Sequence, residues 1–94
     1  MVTYEEVAEA AVKREMEIIG KQIAVKIAKE TEGVAIDDDG NVDKIKGEGK
    51  EVIAKLVSEY EEKIGKVAVT LISKAIKEIG GDELDLPSRI EERM

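Results

Sequence analysis

Apolar residues at Ala8, Val12, Met16, Ile19, Ile23 and Ile27 recur at steps of three and four, the spacing of one stripe along an α-helix. Thr3 and Glu6 have capping-box spacing just before that stripe begins, so a helix is predicted over 3–32. A second apolar set, Val7, Ala11, Ile18 and Val25, lies about 100° round the same helix, and one neighbour would not cover both faces. Within this span Gly20 is the one residue that disfavours a helix.

A matching pattern fills 50–79. Ile53, Leu56, Val57, Tyr60, Ile64, Val67, Ala68, Leu71, Ile72, Ala75 and Ile79 form a broad apolar face, and Gly80-Gly81 supplies the stop. Between the two helices, Val34-Ala35-Ile36 and Val42 to Ile45 are short β-prone runs either side of an acidic turn, which predicts a β-hairpin within 33–49. In the arm at 80–94, Ser88 and Glu91 follow Pro87 at capping-box spacing, a short terminal helix or a frayed end. The expected fold class is mainly α in a single domain, 1–94: two long antiparallel helices joined by a short β-hairpin, with a short C-terminal helix.

The two helical segments also match each other at an offset of 45 residues. Glu6/Glu51, Val7/Val52, Val12/Val57, Glu17/Glu62, Ile19/Ile64, Gly20/Gly65, Lys21/Lys66, Ile27/Ile72 and Lys29/Lys74 are identical pairs. Amphipathic helices of this composition share several such matches by chance, so the offset alone does not establish a duplication. The paired glycines ask for a reason, since a mid-helix glycine costs ~1 kcal/mol relative to alanine. If the chain folds back about the hairpin, Gly20 and Gly65 fall near one level and let the helices approach closely.

Length then argues for association. A helix of about 28 residues is ~42 Å long at 1.5 Å per residue, whereas a compact chain of this size has a radius of gyration near ~12 Å. Two such helices bury one seam and leave their second stripes in water. A homodimer or higher homo-oligomer, forming a four-helix bundle, would cover them.

The stretch GVAIDDDGNVDKIKGEG raises a chemical question, because three aspartates, a glycine and an asparagine sit at the turn. In a calcium loop, oxygen ligands recur at alternate positions with glycine sixth. Counting from Asp37, the ligands would be Asp37, Asp39, Asn41 and Glu48, with Ca²⁺ or Mg²⁺ as the cofactor; but Val42 stands where the glycine belongs and Gly40 comes two residues early. A hairpin turn accounts for all five residues without a metal, since Asp and Asn bond their own backbone and glycine takes φ > 0.

Composition excludes much other chemistry. The chain has no cysteine and no histidine, which removes thiolate nucleophiles, sulfur-held metals and the commonest general base. Tyr4 and Tyr60 are the only aromatics, and net charge is −7; neither favours stacked or phosphate-bound nucleic acid. Tyr60 lies on the apolar face, a core residue with its hydroxyl at the rim. No apolar run is long enough to span a membrane and no signal-peptide core opens the chain, so a cytoplasmic location is expected. The bias to Glu, Lys, Ile and Val, with single Asn and Gln residues, is that of heat-adapted proteins.

Carboxylates are the remaining catalytic groups. Glu59-x-x-Glu62 followed by Asp82-x-x-Asp85 is similar to the paired acidic motifs with which all-helical nucleotide pyrophosphohydrolases hold Mg²⁺, but the second pair falls between a Gly-Gly stop and Pro87, where a helix is not expected. Lysines stand four residues beyond both glutamates, as in Glu9/Lys13, Glu17/Lys21 and Glu51/Lys55, a pattern of solvated surface pairs. Ser58, Ser73 and Ser88 have no histidine to activate them. These features lead to a small acidic oligomeric interaction, scaffold or regulatory module, not an enzyme, that binds a protein partner without a cofactor. The alternative is a carboxylate-based divalent-cation protein, a Mg²⁺-dependent nucleotide hydrolase among them.

Overall fold

A computed structural model describes residues 1–94. The chain is mainly helical with a small two-stranded antiparallel sheet. In order the elements are α1 (Tyr4–Ile19), α2 (Lys21–Glu30), β1 (Val34–Ile36), β2 (Val42–Ile45), α3 (Gly49–Ile64), α4 (Val67–Glu78), a 3-10 turn (Gly81–Glu83) and α5 (Ser88–Glu91).

The expectation of two long helices is corrected. Each breaks at its glycine: Gly20 has φ 89° and ψ 156°, and Gly65 has φ 98° and ψ −175°. Backbone of that kind is open almost only to glycine. The glycines are therefore hinges between two helices, not contact points within one, and the close-approach explanation fails. A helix–glycine–helix unit occurs twice, and its first helix spans 16 residues each time. The reason for a four-helix dimer goes with the long helices. The principal extents are 29 × 26 × 19 Å and the radius of gyration is 11.4 Å, as for a chain that folds back on itself.

α1 begins as its sequence dictates. The Thr3 hydroxyl accepts from the Glu6 N–H at 3.1 Å, and the Glu6 carboxylate accepts from the Thr3 N–H at 2.9 Å, closing the capping box. One contiguous core then takes residues from all four long helices and the C-terminal arm. It includes Val7, Ala8, Ala11 and Val12 of α1, Ile53, Leu56 and Val57 of α3, Ile72 and Ile76 of α4, and Leu86 and Ile90. Most of both stripes of α1 is thus covered within the chain, because the helix packs against α2, α3, α4 and β2, while Ile18 stays exposed.

The 45-residue offset is a structural repeat. The buried positions of α1 are Val7, Ala8, Ala11, Val12 and Glu15; those of α3 are Val52, Ile53, Leu56, Val57 and Tyr60, each 45 residues on. Equivalent positions also meet. The Tyr4 ring lies over Gly49, where an added Cβ would come within 2.3 Å of it.

The hairpin has the expected bounds. Val34 pairs with Ile45 and Ala35 with Lys44, and a register shift next to Ile36 aligns it with Val42. α1 caps the outer edge of β2: the Glu9 carboxylate accepts from the Val42 N–H at 2.8 Å and Glu5 from the Ile45 N–H at 3.2 Å. The arm is docked, not frayed. Leu86, Pro87 and Ile90 are buried, and α5 packs on α4. Ser88 supplies no cap; Pro87 precedes the helix instead. No helix is long and apolar enough to cross a membrane.

Candidate functional site: the aspartate loop and the lysine face of α2

The aspartate loop is organised by its own first residue. One Asp37 carboxylate oxygen accepts from the N–H groups of Asp39 and Asn41, both at 2.9 Å, and the other accepts from the Asn41 side-chain amide at 3.1 Å. These bonds, the backbone N–H of Asn41 first, hold the Asp37 carboxyl below its ordinary value. Gly40 turns the tip at φ 86° and presses on Met16, whose Sδ would lie 2.6 Å from an added Cβ.

The other loop oxygens face ammonium groups. Lys13 donates to the Asp39 carbonyl and to Asn41 Oδ1, each at 3.1 Å. Lys21 pairs with the Asp39 carboxylate at 3.1 Å, and Lys29 pairs with Asp38. The loop thus brings Asp37, Asp39 and Asn41 together, with lysine Nζ atoms against Asp39 and Asn41. Glu48 is not part of this network; it stands before α3 without a capping bond. Nowhere are three acidic side chains gathered in an arrangement suited to a metal ion.

Lys21 and Lys29 also line the larger of two surface depressions. Lys21, Gln22, Val25, Lys26 and Lys29 of α2, with Asp38 of the loop, surround about 490 Å³. A second depression of about 250 Å³ lies beside it, lined by Ile23, Lys26, Ile27, Glu30 and Lys63. Lys26 borders both, and Ile23 is 56% exposed. α2 starts at Gly20 without a side-chain cap, so its first turn adds free N–H groups at the Lys21–Gln22 end of the larger depression. A cationic, partly apolar concavity thus sits on a chain of net charge −7.

The carboxylate pairs of the nucleotide-hydrolase alternative do not converge. Asp82 falls in the 3-10 turn and Asp85 pairs with Lys50 at 3.4 Å. Glu62 is exposed, and its neighbour Glu61 pairs with Arg89 of α5. The expected i,i+4 pairs are not among the ion pairs formed. All of these link separate elements, as Arg14–Glu78 does at 2.5 Å between α1 and α4.

A second feature lies inside the core. Glu15 is fully buried, and both its carboxylate oxygens lack a hydrogen-bond partner. Desolvation raises its pKa to about 7 against the opposing charge of Arg14. Tyr60, its equivalent in the second unit, is also fully buried; its hydroxyl is not at the rim but donates to the Ala24 carbonyl of α2 at 2.7 Å. Burial first, and the Glu15 charge second, push the Tyr60 phenol up.

Sequence reasoning missed Glu15, although two signals mark it. It stands between Val12 and Ile19 on the apolar stripe, and the 45-residue offset places it opposite Tyr60, which was assigned to the core. The lysine bonds to Asp38, Asp39 and Asn41 left no periodic signal, because they join α1 and α2 to a loop 9 to 28 residues away.

The chain matches no protein-family model, and no curated protein or solved structure matches it.

Proposed function

We propose that the protein is a non-enzymatic interaction module whose recognition face is α2. The observation that carries this reading is the pair of adjoining depressions centred on Lys26. Lys21 and Lys29 are held by Asp39 and Asp38, whereas Lys26 forms no ion pair or hydrogen bond with the protein. Charge complementarity selects an acidic segment of a partner protein, and Ile23 with Ile27 offers an apolar seat next to the charge. The carboxyl whose pKa is raised, Glu15, lies in the core and borders neither depression. The core is covered within one chain, and the exposed large apolar side chains, apart from Met1, are Ile18, Ile23, Val67 and Ile79.

The test is an NMR titration of the labelled protein with three peptides of equal length: acidic with leucine, acidic without leucine, and basic. The first should shift amides of α2 and the aspartate loop, weaken with added salt and lose most of its effect on Lys26→Glu. Equal responses to acidic and basic peptides, or an unchanged response in Lys26→Glu, would remove this reading.

A further inference from the structure

We infer that Glu15 is a proton-controlled lock on the α1–α2 hairpin, which holds α2 down while the carboxyl is neutral and lets it swing about Gly20 once the carboxyl ionises. The inference does not depend on what binds α2. It starts from an asymmetry in the repeat: equivalent buried positions hold an acid, Glu15, in one unit and a phenol, Tyr60, in the other. The phenol has a partner and the acid has none. Among buried side-chain atoms, the two Glu15 oxygens are the ones left without a hydrogen bond.

The surroundings offer an ionised Glu15 no hydrogen-bond donor of its own, and the one compensating charge is Arg14. The buried residues of α2 are Ala24, Val25, Ile27 and Ala28, and those of α4 are Ala68, Val69, Ile72, Ser73, Ala75 and Ile76, all uncharged. The Ser73 hydroxyl already donates to the Val69 carbonyl. From β2, Val42 and Ile45 bond to Glu9 and Glu5. On α1 itself Arg14 lies alongside, tied to Glu78 of α4. From α3 the titratable group is Tyr60, whose charge state Glu15 influences. Its O–H is the donor for which a carboxylate at Glu15 would compete, and that O–H now tethers α3 to the Ala24 carbonyl of α2. A buried carboxylate without donors favours any opening that wets it.

The hinge is in place. Gly20 has its glycine-only backbone and nothing within 4 Å of where a Cβ would stand. α2 is the shortest of the four long helices and begins without a side-chain cap. Lifting it releases the Tyr60 tether and exposes Glu15 without unfolding α3 and α4.

Two measurements on the intact protein test this: the ¹³C shift of the Glu15 carboxyl, and amide exchange of α2 and α4 from pH 5 to pH 8, corrected for intrinsic exchange. The carboxyl should titrate near 7. α2 amides should be less protected than α4 amides, and their opening should grow about tenfold per pH unit from 5 towards 7 before levelling. Glu15→Gln should abolish that growth. Titration near 4.5, α2 and α4 exchanging through one common opening, or the same pH response in Glu15→Gln would each overturn the lock. If Glu15→Gln fails to fold, the carboxyl titration and wild-type exchange decide alone.

Discussion

Replacing Glu15 with glutamine isolates one proton in the stability of the whole fold. In the unfolded chain the carboxyl has its ordinary value of 4.5, and in the folded chain about 7. Folding therefore takes up a proton between those two values. The unfolded state binds fewer protons in that window, so stability is highest on the acid side, falls as pH rises from about 4.5 to about 7, and stays low above it. A span of about two and a half units, at about 1.36 kcal/mol each, gives a full effect of about 3 kcal/mol. Because Glu15 is fully buried, solvent screening does not reduce this as it would for a surface group. Glutamine has nearly the same shape and no proton to lose. At pH 5 the two proteins should be similar in stability, since both then carry a neutral group short of partners. By pH 8 the variant should be the more stable, and the difference should have grown by about 2–3 kcal/mol.

Urea unfolding of both proteins at pH 5, 6, 7 and 8 measures this. Taking the difference between them cancels the other carboxylates, Asp37 included. The reasoning would be refuted by parallel pH profiles, which would mean that Glu15 is hydrated or paired in solution. It would equally be refuted by a variant that loses ground as pH rises. Glu15→Leu extends the argument: with no polar atom left to satisfy, it should exceed wild type at pH 8 if the site accepts the new shape.

Gly20→Ala and Gly65→Ala should each cost about 1–3 kcal/mol in thermal or urea unfolding, because alanine is strained at these backbone angles; unbroken helices would instead gain ~1 kcal/mol from the same changes. Gly49→Ala should destabilise by about 1–3 kcal/mol through collision with the Tyr4 ring, and pairing it with Tyr4→Leu should recover part of the loss. Tyr60→Phe leaves the Ala24 carbonyl without its donor and should lower stability by about 1–3 kcal/mol. Millimolar Ca²⁺ or Mg²⁺ should leave the melting temperature unmoved, with the same result in the Asp37→Asn, Asp39→Asn double variant; a cation-dependent rise lost in that variant would restore the Asp37, Asp39, Asn41 and Glu48 site.

Periodicity located the helical residues but not where the helices stop. Stripes at steps of three and four run through Gly20 without losing phase, from Ile19 to Ile23 and Ile27. The reason is geometric: Ile23 proves exposed while Ile27 is buried, so the apparent continuity joined a solvent residue to a core one. Hairpin bounds were legible to the residue, because β-prone runs and turn residues are local signals. The partners of Asp38 and Asp39 were not, since a lysine that pairs with a loop looks the same in sequence as one that points into water. Glu9 and Lys13 show this most clearly. At i,i+4 spacing they suggest each other, yet Glu9 caps the β2 edge and Lys13 reaches the loop tip.

The repeat gives these departures a common origin. Where two similar units pack through equivalent positions, identical large residues would compete for one space. The chain resolves this twice by making the equivalents unlike: Tyr4 covers Gly49, and Glu15 is matched by Tyr60. In the first pair bulk is exchanged, and the result is close contact. In the second, polarity is exchanged unequally. Tyr60 finds the Ala24 carbonyl, while Glu15 keeps two bare oxygens in the core. A fold concerned only with packing could place an apolar side chain at position 15, as it does at Ala11 and Val12 one turn earlier. The carboxyl therefore weakens the protein at neutral pH, and does so beside the one interhelical tether that runs from α3 to α2. A destabilising group so placed lowers the free energy of one local opening more than it lowers that of the rest, which is the property a lock requires and a passive core residue lacks.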